Sequence, residues 1–132
     1  MTKNVLVVIE DLFFAVKIQD AAKRNGATVK MVKDYSAALE AAKTNPAVIV
    51  LDLNCQPARP LELAAALKAE ECTSSIPLIG FVSHVMVELR NAAAAAGCDK
   101  VYARSKFSAD LPEILAVYLH ESNDGPGEFG GV

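Results

Sequence analysis

Val5–Ile9 (VLVVI) runs straight into Glu10-Asp11, and Ala47–Leu51 (AVIVL) runs straight into Asp52. Both runs are apolar, largely β-branched and without alternation, the pattern of strands buried on both faces of a parallel sheet. In such a sheet the carboxyl ends of the strands form the ligand-binding edge. Adjacent strands lie ~4.8 Å apart, so acids that terminate two neighbouring strands meet. Two full charges ~5 Å apart repel by ~3 kcal/mol at an effective dielectric of 20. A hard divalent cation relieves that repulsion, and Mg²⁺ takes one or two carboxylates with waters and phosphate oxygens. Glu10, Asp11 and Asp52 are therefore the candidate metal ligands.

These acids need a scaffold, and the rest of the chain supplies alternating strand and helix patterns. Leu12–Asn25 reads as a helix with Phe14, Ile18, Ala21 and Ala22 on one face and Gly26 as its stop. Thr28–Val32 is a second strand, and Lys30 within it suits a sheet edge. Asp34 or Ser36 caps a helix to about Lys43, which Asn45-Pro46 ends before the third strand. Gln56–Pro60 is a loop and Leu61–Glu70 a helix with Leu63 and Leu67 inward. Pro77 opens a fourth strand, Leu78–Val82, and Met86–Ala96 is an alanine-rich helix stopped by Gly97. Val101–Ala103 is a short fifth strand, Arg104-Ser105-Lys106 a loop. Asp110 and Glu113 have capping-box spacing at the start of a last helix to about Glu121. The expected domain is 1–122, with a glycine-rich mobile tail at 123–132.

Five such units form an α/β fold: a doubly wound, five-stranded parallel sheet with helices on both faces and right-handed crossovers. The flavodoxin-like order 2-1-3-4-5 fits five strands and places the first strand beside the third. Glu10, Asp11 and Asp52 then meet at the switch point, and Ser83 and Arg104 follow strands four and five on the same edge. Singly, Asp11 and Ser83 read as helix caps, Asp52 as a loop acid and Arg104 as a solvated cation. Their convergence on one edge favours a site.

Bulk properties exclude several classes. The chain has 132 residues, 52% of them apolar, and a net charge of −3. Acids and bases are interspersed, which argues against nucleic-acid binding and a polybasic membrane contact. No apolar run approaches the ~20 residues of a membrane helix. Met1–Asn4 leads directly into a strand, so no signal peptide is expected, and Cys55, Cys72 and Cys98 read as reduced thiols of a cytoplasmic protein. No glycine-rich phosphate loop follows any strand. His84 and His120 lie far apart in sequence, and no Ser-His-Asp or Cys-His set is legible. A hydrolase acting on small molecules lacks a general base beyond the acids.

Together, Glu10-Asp11, the apolar strand ending in Asp52, Asn54, and Ser83 after Ile76–Val82 resemble the receiver domain of bacterial response regulators, of the single-domain chemotaxis type. The resemblance spans about Asn4 to Glu121. It implies a two-component signalling protein rather than an enzyme, with Asp52 accepting a phosphoryl group from a histidine kinase or phosphotransfer protein. It implies Mg²⁺ on Glu10, Asp11, Asp52 and the backbone carbonyl of Asn54, with Asp11 the more direct of the acid pair. Ser83 takes the place of the hydroxyl that holds the phosphoryl group. The switching face is that of the fourth helix, the fifth strand and the last helix.

The departures are equally specific. The family has Lys-Pro after strand five; here Arg104 or Lys106 takes the lysine's place, and Arg is a planar fork of different reach. Arg104 is expected to point at the acids and to bridge Asp52. The Asp-Gly turn of the loop after the phosphoacceptor is replaced by Arg59-Pro60, and proline cannot adopt positive φ. Val101 fills the place of the switch aromatic, with Tyr102 one position later. Phe13-Phe14 after the acid pair is unusually apolar, and one phenylalanine is placed to shield the site. The alternative reading is a pseudo-receiver, a protein-interaction module independent of phosphorylation.

Overall fold

In the computed structural model, which describes residues 3–83 and 87–120, five strands form one parallel sheet. The strands are β1 (Asn4–Val8), β2 (Thr28–Val32), β3 (Val48–Asp52), β4 (Leu78–Val82) and β5 (Lys100–Ala103), in the order β2-β1-β3-β4-β5. The helices are α1 (Leu12–Arg24), α2 (Tyr35–Ala42), α3 (Pro60–Ala69), α4 (Val87–Ala96), α5 (Arg104–Ala109) and α6 (Leu111–His120), with a 3₁₀ turn at Gln56–Ala58. No described helix is long and apolar enough to cross a membrane. His84, Met86, Glu121 and the tail at 123–132 lie outside the described residues.

Side-chain alternation along the strands builds two cores. Leu6, Val8, Ile49, Leu51 and Leu78 face Ala38, Ala42, Leu63, Leu67 and Ala93 of α2, α3 and α4. Val5, Val7, Val48, Val50, Ile79 and Phe81 face Phe14, Ile18, Ala22, Phe107, Leu115 and Leu119 of α1, α5 and α6. Strands buried on both faces account for the unbroken apolar runs of β1 and β3. β2, at the sheet edge, keeps no fully buried residue.

Most elements begin and end within a residue of their expected bounds, and three features differ. First, the stretch expected as a loop at 104–106 is the opening of α5, which follows β5 without a break. Its N-cap, Ala103, offers no side-chain hydrogen bond. What secures it is Phe107, fully buried and stacked on Phe81 at 5.1 Å between ring centroids. Second, the Asp110 carboxylate pairs with Lys106 at 2.8 Å, and Asp110 ends α5 as well as preceding α6. Third, the positive φ of the β3–α3 connection falls on Arg59 (φ 47°), leaving Pro60 free to open α3. The guanidinium of Arg59 stacks 4.1 Å from the Tyr35 ring and pairs with Glu62 at 3.1 Å, contacts that hold the left-handed backbone.

Candidate functional site

Register alone brings the candidate residues to one edge. Val8 of β1 lies beside Leu51, Asp52 beside Phe81 of β4, and Val82 beside Ala103 of β5. The chain leaving each strand end there carries Glu10-Asp11, Asn54, Ser83 and Arg104. Asp52 has the parity of Val48 and Val50, so it faces the layer of α1 and α5.

Asp52 is only 5% exposed. The one hydrogen bond to its carboxylate among the described residues comes from the Asn54 backbone N–H at 2.9 Å. Burial raises its pKa above the ordinary value; the Asn54 N–H and the charge of Arg104 oppose the rise, and Asp11 and Glu10 add to it. The acid edge is thus electrically felt at Asp52.

Asp11 is the N-cap of α1: its Oδ1 accepts from Phe13 N–H at 3.0 Å and Phe14 N–H at 3.2 Å. Its Oδ2 accepts from the Arg104 guanidinium. The Phe14 N–H and then the Arg104 hydrogen bond are the main causes that hold its pKa below the ordinary value. The helix-cap reading and the site reading of Asp11 are therefore both realised in one carboxylate. Glu10 is exposed beside it.

Arg104 does not bridge Asp52 as the sequence suggested; its paired carboxylate is that of Asp11. The reason is its place at the first turn of α5, where its guanidinium lies over Phe14, 4.3 Å from the ring centroid, and 5.9 Å from that of Phe81. Lys106, the other candidate cation, turns to Asp110. Ser83 is tied to the β3–α3 connection: its N–H and hydroxyl both donate to Asn54 Oδ1, at 2.9 and 3.0 Å.

Among the described residues no three His, Cys, Asp or Glu side chains gather as a ready metal site. The donors at the edge are nevertheless of the right kind. The Asp11 and Asp52 carboxylates and the Asn54 carbonyl are hard oxygen donors at the same sheet edge, and Mg²⁺ asks no more than one or two carboxylates from a protein. Of these donors, Asp11 is already paired with Arg104.

Two features escaped the sequence. The Asn54 side chain, not only its backbone, belongs to the edge, through Ser83. Phe14, Phe81 and Phe107 form the aromatic floor under Arg104, with Phe14–Phe81 centroids 5.0 Å apart. Of the expected Phe13-Phe14 shield, Phe14 is buried there, while Phe13 is 91% exposed. Val101 packs toward α3 and α4, and Tyr102 toward Phe107 at 5.7 Å.

No protein-family model matches the sequence, and no curated protein matches it. Solved structures do match. The phosphorylated cyanobacterial phytochrome response regulator RcpA superposes with a TM-score of 0.81 at 18% identity, over 92% of this chain and 96% of its own. A response regulator from Hahella chejuensis gives 0.82 at 20% identity, over 90% and 96%. The receiver domain of the sensor histidine kinase PA1611 from Pseudomonas aeruginosa, with a magnesium ion coordinated in its active-site cleft, gives 0.78 at 19% identity, over 90% and 98%. The fold of this chain is that of the response regulator receiver domain.

Proposed function

We propose that this chain is a phosphoacceptor switch of two-component signalling, in which Asp52 takes a phosphoryl group from the phosphohistidine of a histidine kinase or phosphotransfer protein. The observation that carries the reading is Asp52 itself. A carboxylate that ends an otherwise apolar central strand, 5% exposed and with one hydrogen bond among the described residues, costs stability. A nucleophile is a use that offsets such a cost. The neighbours supply precedent: one is phosphorylated, and another holds magnesium in its cleft.

In this mechanism a carboxylate oxygen of Asp52 attacks phosphorus while the P–N bond of the donor breaks. The electron pair stays on the imidazole nitrogen, which is then protonated by solvent, and an acyl phosphate remains on Asp52. Asp11, Asp52 and the Asn54 carbonyl would hold the divalent ion, with Glu10 adding negative charge nearby. Bound there, Mg²⁺ offsets the charge of the transferring group. Ser83 exchanges its hydrogen bonds to Asn54 for one phosphoryl oxygen, and Arg104 takes another. The chain is a regulator rather than a turnover enzyme, acts in the cytoplasm, and uses neither nucleic acid nor membrane.

The signal is read on the face of α4, β5 and the helices that follow. There a groove of about 550 Å³ is lined by Arg90, Lys100, Tyr102 and Lys106 among others. A charge arriving at Asp52 reaches this face through Arg104, which opens α5 two residues from Lys106. The second reading, a phosphorylation-independent interaction module, is favoured by one observation: Arg104 already neutralises Asp11 within the chain.

Titration with beryllofluoride and Mg²⁺, followed by ¹H–¹⁵N NMR, separates the two. The phosphoacceptor reading expects saturable shifts at Asn54, Ser83 and Tyr102, absent in Asp52→Asn. An unchanged spectrum at saturating reagent supports the interaction module.

A further inference from the structure

We propose that Arg104 is a built-in counter-cation that competes with the divalent ion for Asp11, so that metal enters the acid edge only by displacing the guanidinium. The proposal rests on the reading of that edge as a metal-dependent phosphoacceptor site, and deepens it with an order of events.

Both oxygens of Asp11 already accept hydrogen bonds. Oδ1 accepts the two N–H groups at the start of α1, and Oδ2 accepts from Arg104. The cap bonds are part of the helix and stay; the bond to Arg104 is the one a cation can replace. Arg104 is no loose surface side chain. It opens α5 with no intervening loop after β5, and its guanidinium lies over the ring of Phe14 and near that of Phe81. A guanidinium so supported is pre-organised for its carboxylate, more than a lysine ammonium at the same place. Lys106, the other cation of this stretch, pairs with Asp110 instead. A cation that takes Asp11 Oδ2 therefore takes the position that the Arg104 guanidinium holds there. Once displaced, Arg104 keeps its charge beside Asp52, whose carboxylate already feels it. The freed fork then meets a phosphoryl oxygen, so metal binding arms the clamp that grips the product.

The test is calorimetric titration of MgCl₂ into the wild-type chain, Arg104→Ala, Lys106→Ala and Asp11→Asn, with the Arg104 Nε–Hε resonance followed in the wild type. Arg104→Ala is expected to bind Mg²⁺ about tenfold tighter, equivalent to about 1.4 kcal/mol. Lys106→Ala removes a charge nearby but no contact with Asp11, and is expected to change affinity less than twofold. Saturating Mg²⁺ is expected to shift the wild-type Arg104 Nε–Hε signal away from its hydrogen-bonded position. Equal or weaker binding by a folded Arg104→Ala, with binding still lost in Asp11→Asn, overturns the competition and leaves the site reading intact. An Arg104 resonance that Mg²⁺ leaves unmoved overturns it too, independently of how the alanine variant folds. No Mg²⁺ binding by any of the four proteins overturns the site reading and the competition with it.

Discussion

Asp52→Asn is expected to stabilise the domain, and by an amount that depends on pH in a defined way. The buried carboxylate sits among two further acids, Glu10 and Asp11, and one cation, Arg104. One net like charge within about two strand spacings, ~10 Å, repels by about 1.7 kcal/mol at an effective dielectric of 20. Desolvation, the largest cause of the raised pKa, acts in the same direction. Asparagine keeps the acceptor for the Asn54 N–H and removes both costs. A gain of about 2 kcal/mol follows, within the range typical when a functional residue is neutralised. At ~2.1 cal/mol/K of unfolding entropy per residue, the chain loses or gains about 4 °C of Tm per kcal/mol, so Tm rises by about 7 °C. The sign with pH is fixed by linkage. A carboxyl whose folded pKa is raised favours the folded state while protonated, and that advantage is lost as pH rises through the folded value. Thermal melts of the metal-free proteins at pH 7 and at about pH 3.5 are the assay. The gap between variant and wild type is expected to be full at pH 7 and nearly closed at the acid pH, where Asp52 is protonated in the folded state and mostly protonated in the unfolded one. A variant no more stable at pH 7, or a gain of equal size at both pH values, refutes the charge argument.

Asp11→Ala is expected to lose about 1–1.5 kcal/mol, because it removes the α1 cap and a half-exposed ion pair, whereas Asp11→Asn keeps the cap and loses about 0.5 kcal/mol. Denaturant melts measure both. Because the folded pKa of Asp11 is lowered, its contribution is present above the ordinary carboxylate value of about 4 and fades as pH falls through the lowered one. Gly97→Ala is expected to cost about 2–3 kcal/mol: Gly97 has φ +130°, and a Cβ there would lie 2.5 Å from Lys68 Cγ. Lys68 is not free to yield, since its ammonium is bound to the Ser74 and Ile76 carbonyls and to Asp99, and a denaturation midpoint equal to wild type would contradict this.

The sheet was legible because its strands are buried on both faces, so β1, β3 and β4 write themselves as unbroken apolar runs. The edge strand β2 was legible for the opposite reason, through Lys30, which interrupts its apolar run where a sheet edge meets solvent. The inward face of α1 followed from 3.6-residue periodicity, which separates buried Phe14 from exposed Phe13 although they are neighbours in sequence. What was not legible is what tertiary contacts decide. α5 is six residues long, has no side-chain cap and is held by Phe107 against β4 and α1, so nothing local announces it. The left-handed Arg59 is held by Tyr35, 24 positions earlier, and glycine was the residue type that sequence rules look for there. The choice of Asp11 over Asp52 by Arg104 depends on a stack over Phe14 across the fold, since Asp11 and Arg104 are 93 positions apart. The strand ends were thus readable, while the partners of their side chains were set by packing between helices.

The central claim is that Asp52 is a phosphoacceptor, and the most direct measurement is intact-protein mass spectrometry after incubation with acetyl phosphate and Mg²⁺. One phosphoryl group is expected on the wild-type chain, mapped to Asp52, labile to hydroxylamine as an acyl phosphate is, and missing when Mg²⁺ is chelated or Asp52 is replaced by Asn. No adduct at saturating donor and Mg²⁺, or an adduct that persists in Asp52→Asn, would contradict the account.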